Sequence, residues 1–434
     1  MNAPPDVVVI GAGVIGSSIA FQLAKKGYEV LVLDKAGGPG YGSTSASSAV
    51  IRYNYSTLDG VITAWESGQC WTKWKDYLGV SIDAAAIFYK TGMVFLDVDL
   101  APRDRTIKLF EIVGVRYEEW DSAELSRRLP GIDVGRYFPP KPVTSEEFFA
   151  EASTTLGGLY TPDGGFIDDP QLAAANLAHA ARAHGAVFTY RAEITAITQF
   201  DNESWHVTLD DGATIDTPVV VNAAGPWSGA INEMAGVGGD FTVSVKPMRQ
   251  EVHHVSAPPG YNSDTHLGPG VADMDVGIYT RPEPGGGLLI GGTEPECDPL
   301  EWIDDPDTAN PNRTASRFEA QVLRAARRFP HLTVPAQPKG IAGVYDVASD
   351  WTPIYDRTDR NGFYVAMGTS GNQFKNAPLA GEFLTEIITA VQSGHDHDRD
   401  PVHYTGRTTG MSINLGAFSR KRQPNAESSG TVLG

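Results

Sequence analysis

Apolar residues run unbroken through Val7-Val8-Val9-Ile10, give way to the glycine-rich stretch Gly11–Gly16, recur at helical spacing from Ile19 to Lys26, and run together again from Tyr28 to Leu33. That order predicts strand, tight turn, helix, strand, a complete βαβ opening. From Leu58 to Tyr77 the residues Val61, Ile62, Trp65, Gly68, Trp71 and Trp74 fall at helical spacing, and the tryptophan stripe is expected to pack in the core rather than form a ligand platform. Residues 84–160 are irregular, with a short strand at Met93–Leu96 and a proline-rich stretch from Pro130 to Pro142, and read as inserted material. An Ala-rich helix is predicted at Leu172–His184, strands at Val187–Tyr190 and Ile194–Ile197, and a hairpin at Trp205–Leu209 turning on Asp210-Asp211-Gly212. The apolar strand Val219–Asn222 feeds a small-residue turn, Ala223-Ala224-Gly225-Pro226, that lets backbone approach a ligand or loop. Residues 241–290 look antiparallel and are followed by a helix from Arg313 to Phe329, which suggests a second domain. The chain closes with a strand from Gly362 to Met367, a Gly-Ser loop, a helix from Pro378 to Val391, and what reads as a polar tail from Arg420.

With 434 residues, 41% of them hydrophobic and 20% charged, the composition is that of an ordinary soluble protein with two or three folding units. A formal charge of -19 argues against nucleic acid or an anionic membrane as partner. It also makes any cation in a ligand site informative, because such a residue works against the overall field. Cys70 and Cys297 are too few and too far apart for a disulfide framework or a metal site, and point to the reducing cytoplasm. No apolar run reaches about 18 residues, and the first strand starts so early that a signal peptide is not expected. Oligomeric state cannot be read from the sequence.

Gly11-x-Gly13-x-x-Gly16 follows a predicted strand and opens a predicted helix, and Asp34 ends the next strand, which is the context in which this spacing binds a dinucleotide. Gly11 permits the turn, Gly13 admits the pyrophosphate to the backbone, and Gly16 lets the helix pack closely. The helix start at Val14 and Ile15 offers N–H donors, and Asp34, with Lys35 beside it, is placed to meet the adenosine ribose. The motif alone does not separate FAD from NAD.

Taken with this fingerprint, three further blocks resemble the D-amino acid oxidase superfamily in order and spacing: Gly42–Ser48 leading to Ile51-Arg52, Asn222–Trp227, and Gly368–Lys375. Within it the chain is most similar to the monomeric sarcosine oxidase group, which oxidises N-substituted glycines. The resemblance implies an α/β fold: a discontinuous, Rossmann-like FAD-binding domain of the glutathione reductase type (residues 1–90, 151–235 and 336–434) and an α+β substrate domain on an antiparallel sheet (91–150 and 236–335). It implies that Ser43, Thr44, Ser45 and Ser48 lie along the pyrophosphate and flavin, Ile194 near the adenine, Ala224 and Gly225 against the cofactor, and Gly371, Asn372, Gln373, Phe374 and Lys375 beside the pyrimidine edge of the flavin. Backbone N–H groups and a helix start there would stabilise the charge of the reduced ring.

The resemblance further implies that Arg52 and Lys375 hold the carboxylate of a small amine substrate, a sensible use of a forked guanidinium and an ammonium, and that Tyr345 faces that substrate. Leu289 stands where the group has a lysine that promotes reaction with oxygen, so fast oxygen reduction does not carry over. Thr293 replaces an active-site histidine, and Gly343 replaces the cysteine that bonds the flavin, so a noncovalent FAD is implied. His253 and His254 alternate on a predicted strand and are expected to be structural. The expected reaction is oxidation of the substrate C–N bond by hydride transfer, with oxygen or another acceptor taking the electrons; a primary D-amino acid or glycine as substrate, and a noncatalytic FAD-binding subunit, are the competing readings.

Overall fold

A computed structural model describes residues 4–200, 204–263 and 265–433. Strand β1 (Val7–Ile10), helix α1 (Val14–Lys26) and strand β2 (Val30–Asp34) form the predicted opening unit. The helix starts five residues before the apolar periodicity does, because the glycine turn leads straight into it. β1 is central in a six-stranded sheet ordered Ile354–Arg357, Phe363–Met367, Val219–Asn222, β1, β2, Val187–Tyr190, parallel throughout except for the first strand. Its side chains alternate between two layers. Val7 and Val9 pack toward α1 and the helices Pro170–Ala183 and Ala377–Gln392, while Val8 and Ile10 join Ile194, Trp205 and Val207 of a small three-stranded antiparallel sheet.

A second, larger sheet is mostly antiparallel and runs Glu301–Trp302, Val245–Ser256, Gly287–Gly292, Ile278–Glu283, Gly270–Asp273, Met93–Leu96, Gly158–Thr161, Glu118–Trp120, with Gly340–Ala348 also paired to Val245–Ser256. The helix Ala315–Arg328 packs on it through Phe318, Val322 and Ala325. Two features therefore correct the sequence reading. Residues 84–160 are not an insertion but supply three of these strands, and Gly158–Thr161 and Gly340–Ala348, expected on the FAD-binding side of the boundaries at 150/151 and 335/336, pair into this sheet. Strands this short, three or four residues each, leave too little alternation to be recognised alone. The predicted helix from Leu58 to Tyr77 breaks at Lys73, and across the break Trp71, Trp74 and Tyr77 stack in series; the two tryptophans belong to the core as expected, with Tyr77 packed against it.

The stretch from Arg420 onward is not a solvated tail. Arg420 is fully buried and bonded to Asp240, Asp356 and Asp398, and Arg422 forks onto Asp350 at 2.8 and 2.9 Å. These acids lie 22 to 180 residues away in sequence, so the pairing is invisible to any local pattern. Replacing Arg420 by Met takes the guanidinium from buried Asp356 and leaves Asp240 and Asp398 to Lys421 alone among the described residues; we expect a loss of about 3–5 kcal/mol in urea unfolding. An unchanged midpoint would show that the carboxylates are compensated by water or neighbouring cations.

Candidate active site

The two sheets meet over a cavity of about 920 Å³, near the top of the ~300–1,000 Å³ range of small-molecule and cofactor sites. Its wall begins at Gly11, Gly13, Val14, Ile15, Asp34 and Lys35, passes Ser43, Thr44, Ser48, Ile194, Ala224 and Gly225, and reaches Arg52, Tyr345 and the run Gly371 to Lys375. Most residues singled out in the sequence thus share one surface. Two do not line it. Gly16 serves packing, since a Cβ there would lie 1.9 Å from the Gly11 carbonyl oxygen, and Ser45 is exposed, its hydroxyl spent on the Gly42 carbonyl at 2.9 Å. Ser47 lines the wall instead.

At the fingerprint end, Gly11 has φ of 102° and presses against the Ala223 carbonyl, a position closed to any side chain. The Asp34 carboxylate accepts from the N–H of Ala12 at 2.6 Å and of Ala36 at 2.7 Å, which fixes it beside the turn. Thr44 does more than line the wall: its Oγ1 accepts the Val14 N–H at 3.0 Å, tying the Ser-rich loop to the start of α1. Gly13 at the head of that helix has no side-chain cap. A helix start headed by glycine, glycines that admit backbone to a ligand, and an acid beside them fit the pyrophosphate and ribose of a dinucleotide. Lys35 pairs with Asp307 at 2.6 Å and lies 4.5 Å over the Trp227 ring, forming a bridge across this end.

At the other end, the loop from Gly368 to Lys375 is held from several sides. Asp346, buried, accepts the Thr369 N–H at 3.0 Å, and Ser370 N–H reaches the Asp346 carbonyl at 2.9 Å. Gly371, at φ of 66°, abuts the Tyr345 ring, which leaves no room for a Cβ. Trp71 donates its indole N–H to the Lys375 carbonyl at 2.7 Å and stacks on Phe374, so the predicted core stripe also braces the loop. Ser43 donates to the Val344 carbonyl at 2.5 Å, and Ser48 shares a hydrogen bond of 2.7 Å with Tyr279.

Arg52 and Lys375 are each 3% exposed, and neither pairs with a carboxylate among the described residues. Arg52 donates to the carbonyls of Asn54 and, at 2.8 Å, Val432. Lys375 donates to the Asn372 carbonyl and to the Tyr55 hydroxyl at 3.1 Å. Tyr55 joins the two cations, its ring 4.9 Å from the Arg52 guanidinium and 5.3 Å from the Lys375 ammonium. Burial lowers the pKa of both, and the Arg52 charge lowers that of Lys375 further. Burial raises the pKa of Tyr55, Tyr279 and Tyr345, so all three are neutral hydrogen-bonding groups at neutral pH.

The sequence reading missed Tyr55, Tyr279, Glu294 and the segment ending in Val432 and Leu433, the last two of which line the cavity. Tyr55 stands three residues past Arg52 and was open to inference; the others arrive from distant strands. Leu289 and Thr293 lie off the wall, whereas Gly343 faces the Ser-rich loop, where a Cβ would meet Ala46 at 2.7 Å. His253 is fully buried between Gln321 and Glu251, and His254 pairs with Glu283, both away from the cavity.

Comparison with known proteins agrees with this geometry. A glycine oxidase of Geobacillus kaustophilus (strain HTA426) is 25% identical over 395 residues, covering 90% of this chain and 94% of its own. FAD-dependent oxidoreductase domain-containing protein 1 of Mus musculus is 28% identical over 428 residues, covering 89% and 82%. The crystal structure of L-proline dehydrogenase from P. horikoshii superposes with a TM-score of 0.73 at 24% identity, covering 91% of this chain and 94% of that one. No helix among the described residues is long and apolar enough to cross a membrane. Residues 6–387 match the DAO family of FAD dependent oxidoreductases, and the chain, whose glycine cradle fits the dinucleotide half of that cofactor, belongs to it.

Proposed function

We propose that the protein oxidises the C–N bond of a small amino acid, with an N-substituted glycine such as N-methylglycine, N,N-dimethylglycine or iminodiacetate as the preferred class. One observation carries this reading: two buried cations, Arg52 and Lys375, share the wall of the cofactor cavity without a carboxylate between them. Buried charge is costly unless compensated, and a substrate carboxylate is the compensation that this pair lacks. Similarity to a glycine oxidase supports an amino acid as the carboxylate-bearing molecule.

Bound FAD supplies the two-electron acceptor, and the chain does the rest. Gly11, Gly13, Val14, Ile15, Asp34 and Thr44 would hold its dinucleotide half, with Lys35 and Ile194 at the adenosine end; Ser43, Ser48, Ala224, Gly225, Gly371, Asn372, Gln373 and Phe374 would hold the flavin half. Arg52 and Lys375 fix the substrate carboxylate, and Tyr345 and Tyr279 close the space beside the carbon to be oxidised. The carbon loses a hydride, the nitrogen gains a double bond, and water hydrolyses the imine. Gly343 offers no sulfur for a covalent link, which supports a noncovalent cofactor. Oxygen or another acceptor takes the electrons, and the free thiols of Cys70 and Cys297 support a cytoplasmic setting.

The test is anaerobic mixing of the yellow holoprotein with a panel of N-alkylated glycines, glycine and D-amino acids. Bleaching of the visible flavin band by the N-alkylated members is expected; bleaching by primary amines alone would shift the substrate class, and none at all would reject the amino acid reading. Arg52→Ala should lower kcat/KM about 10- to 100-fold, mostly through KM, with the flavin spectrum retained. A KM equal to wild type would rule out the carboxylate clamp. Lys375 holds its charge only below its depressed pKa, so affinity for the carboxylate should fall as pH rises through a value lower than that of an ordinary lysine. In Lys375→Met that fall should vanish from a plot of log KM against pH.

A further inference from the structure

Val432 and Leu433 enter the cavity on the same wall as Arg52, Lys375 and Tyr345. The contacts of Val432 resemble those of a ligand. Its carbonyl accepts the Arg52 guanidinium at 2.8 Å, and its own N–H donates to the Glu294 carboxylate at 2.9 Å. One residue thus presents its nitrogen to an acid and its carbonyl oxygen to a cation, at the separation that the amine and carboxylate of an α-amino acid also have. Glu294 is not on the cavity wall; Val432, which is, bonds to its carboxylate through the peptide N–H.

We propose that Glu294 is the group that receives the substrate amino nitrogen, and that the segment Ser428–Leu433 holds the substrate's place until an amino acid displaces it. This rests on the carboxylate role of Arg52 argued above. Several features support it. Glu294 has no ion-pair partner within bonding reach among the described residues; its carboxylate accepts from Gln250 at 3.2 Å and from the Val432 N–H, and Arg317, Tyr279 and Tyr345 are the titratable groups that act on it from neighbouring elements. Part of the residue is exposed, yet its carboxyl group lies deep enough that burial pushes its pKa up to about 8. At neutral pH the free protein therefore holds it largely as the carboxylic acid; an ammonium brought against it favours the carboxylate, and the carboxyl proton leaves to water. The carboxylate can then take one N–H proton, breaking N–H and forming O–H, and leave the nitrogen lone pair that C–N oxidation needs.

The segment is suited to exchange. It is anchored upstream, where the Asn425 N–H reaches Asp350 at 3.0 Å and Glu427 pairs with Arg105, whereas from Ser428 to Leu433 its remaining bonds are short-range turns such as Ser429 to Thr431 at 2.9 Å. In the cavity its polar hold is the Val432 peptide, while the Val432 and Leu433 side chains pack in a small apolar cluster with Met248, Ala272 and Tyr279; a peptide carries partial charges where a zwitterion carries whole ones.

The experiment uses the FAD-loaded full chain and two probes of one shape, N-methylglycine and butanoate, with binding read from the perturbation of the flavin band. In Glu294→Gln, N-methylglycine should bind about 10- to 100-fold more weakly while butanoate stays within about twofold. Glu294→Asp should recover part of the discrimination. Equal weakening of both probes, or no weakening of either, would overturn the amine role. Removing residues 428–434 should tighten both probes about tenfold, since nothing then competes for Arg52; unchanged affinity would overturn the place-holder. The truncated chain also reads that half of the proposal should the Glu294 variant not fold. Failure of the parent reading looks different: N-methylglycine would perturb the band and never bleach it.

Discussion

Two positive charges held out of water without an acid between them are the constraint around which this cavity is arranged. The chain carries a formal charge of -19, so acids are not scarce, yet none of the described ones pairs with Arg52 or Lys375. Elsewhere the fold matches buried cations with carboxylates: Arg328 meets Asp273 and Asp275, Arg420 meets three acids, and Arg422 meets Asp350. At the cavity it offers only neutral oxygens and the face of Tyr55, enough to keep the side chains in place but not to cancel their charge. That difference is a local instability which an anion relieves, and folds concentrate such instability where ligands bind.

Keeping a lysine charged and aimed in such a place demands a stiff surround. Lys375 sits on a loop fastened by its carbonyl to Trp71, by Phe374 to the same indole, and by Thr369 to Asp346 on a strand of the other sheet. The cation pair is therefore referenced to both sheets at once. The cradle at the far end is referenced to the six-stranded sheet through Gly11 and Ala223, and to the Ser-rich loop through Thr44 and Val14. A molecule spanning the cavity meets one rigid frame, and orientation of a substrate carbon against the flavin becomes a property of packing.

What could be read from the sequence follows the range of the interactions. β1, the glycine turn, α1 and β2 are built from neighbours and were legible as a unit, including the acid that ends β2, although α1 begins at Val14 and not at Ile19. Arg52 and Lys375, 323 positions apart by number, reached the site reading only through family resemblance, since no local pattern joins them. Glu294 stands in Thr293-Glu294-Pro295-Glu296, a run indistinguishable from an exposed acidic turn, and its partners Gln250 and Val432 lie 44 and 138 residues away. The stretch from Arg420 reads as solvated because Arg and Lys without nearby acids usually are; only the folded chain brings Asp240, Asp356 and Asp398 to it. Ser45 erred in the other direction, since its loop tightens into a turn that spends one hydroxyl on its own backbone.

The same long-range pairs explain how one cavity can discriminate among carboxylates. On the proposed reading, a simple anion would satisfy Arg52 and Lys375 but, by displacing the Val432 peptide, would leave the Glu294 carboxyl with Gln250 as its donor among the described residues. An amino acid would satisfy both ends, so its proposed advantage is the charge-assisted hydrogen bond that its nitrogen makes to Glu294 and a simple anion lacks. A tertiary amine fits that logic as well as a primary one when it arrives protonated, because a single N–H is all that the carboxylate asks for. Selection by N-substituent must then come from shape, through Met93, Ala272 and Tyr279 on the adjoining wall, and not from counting hydrogen bonds to nitrogen.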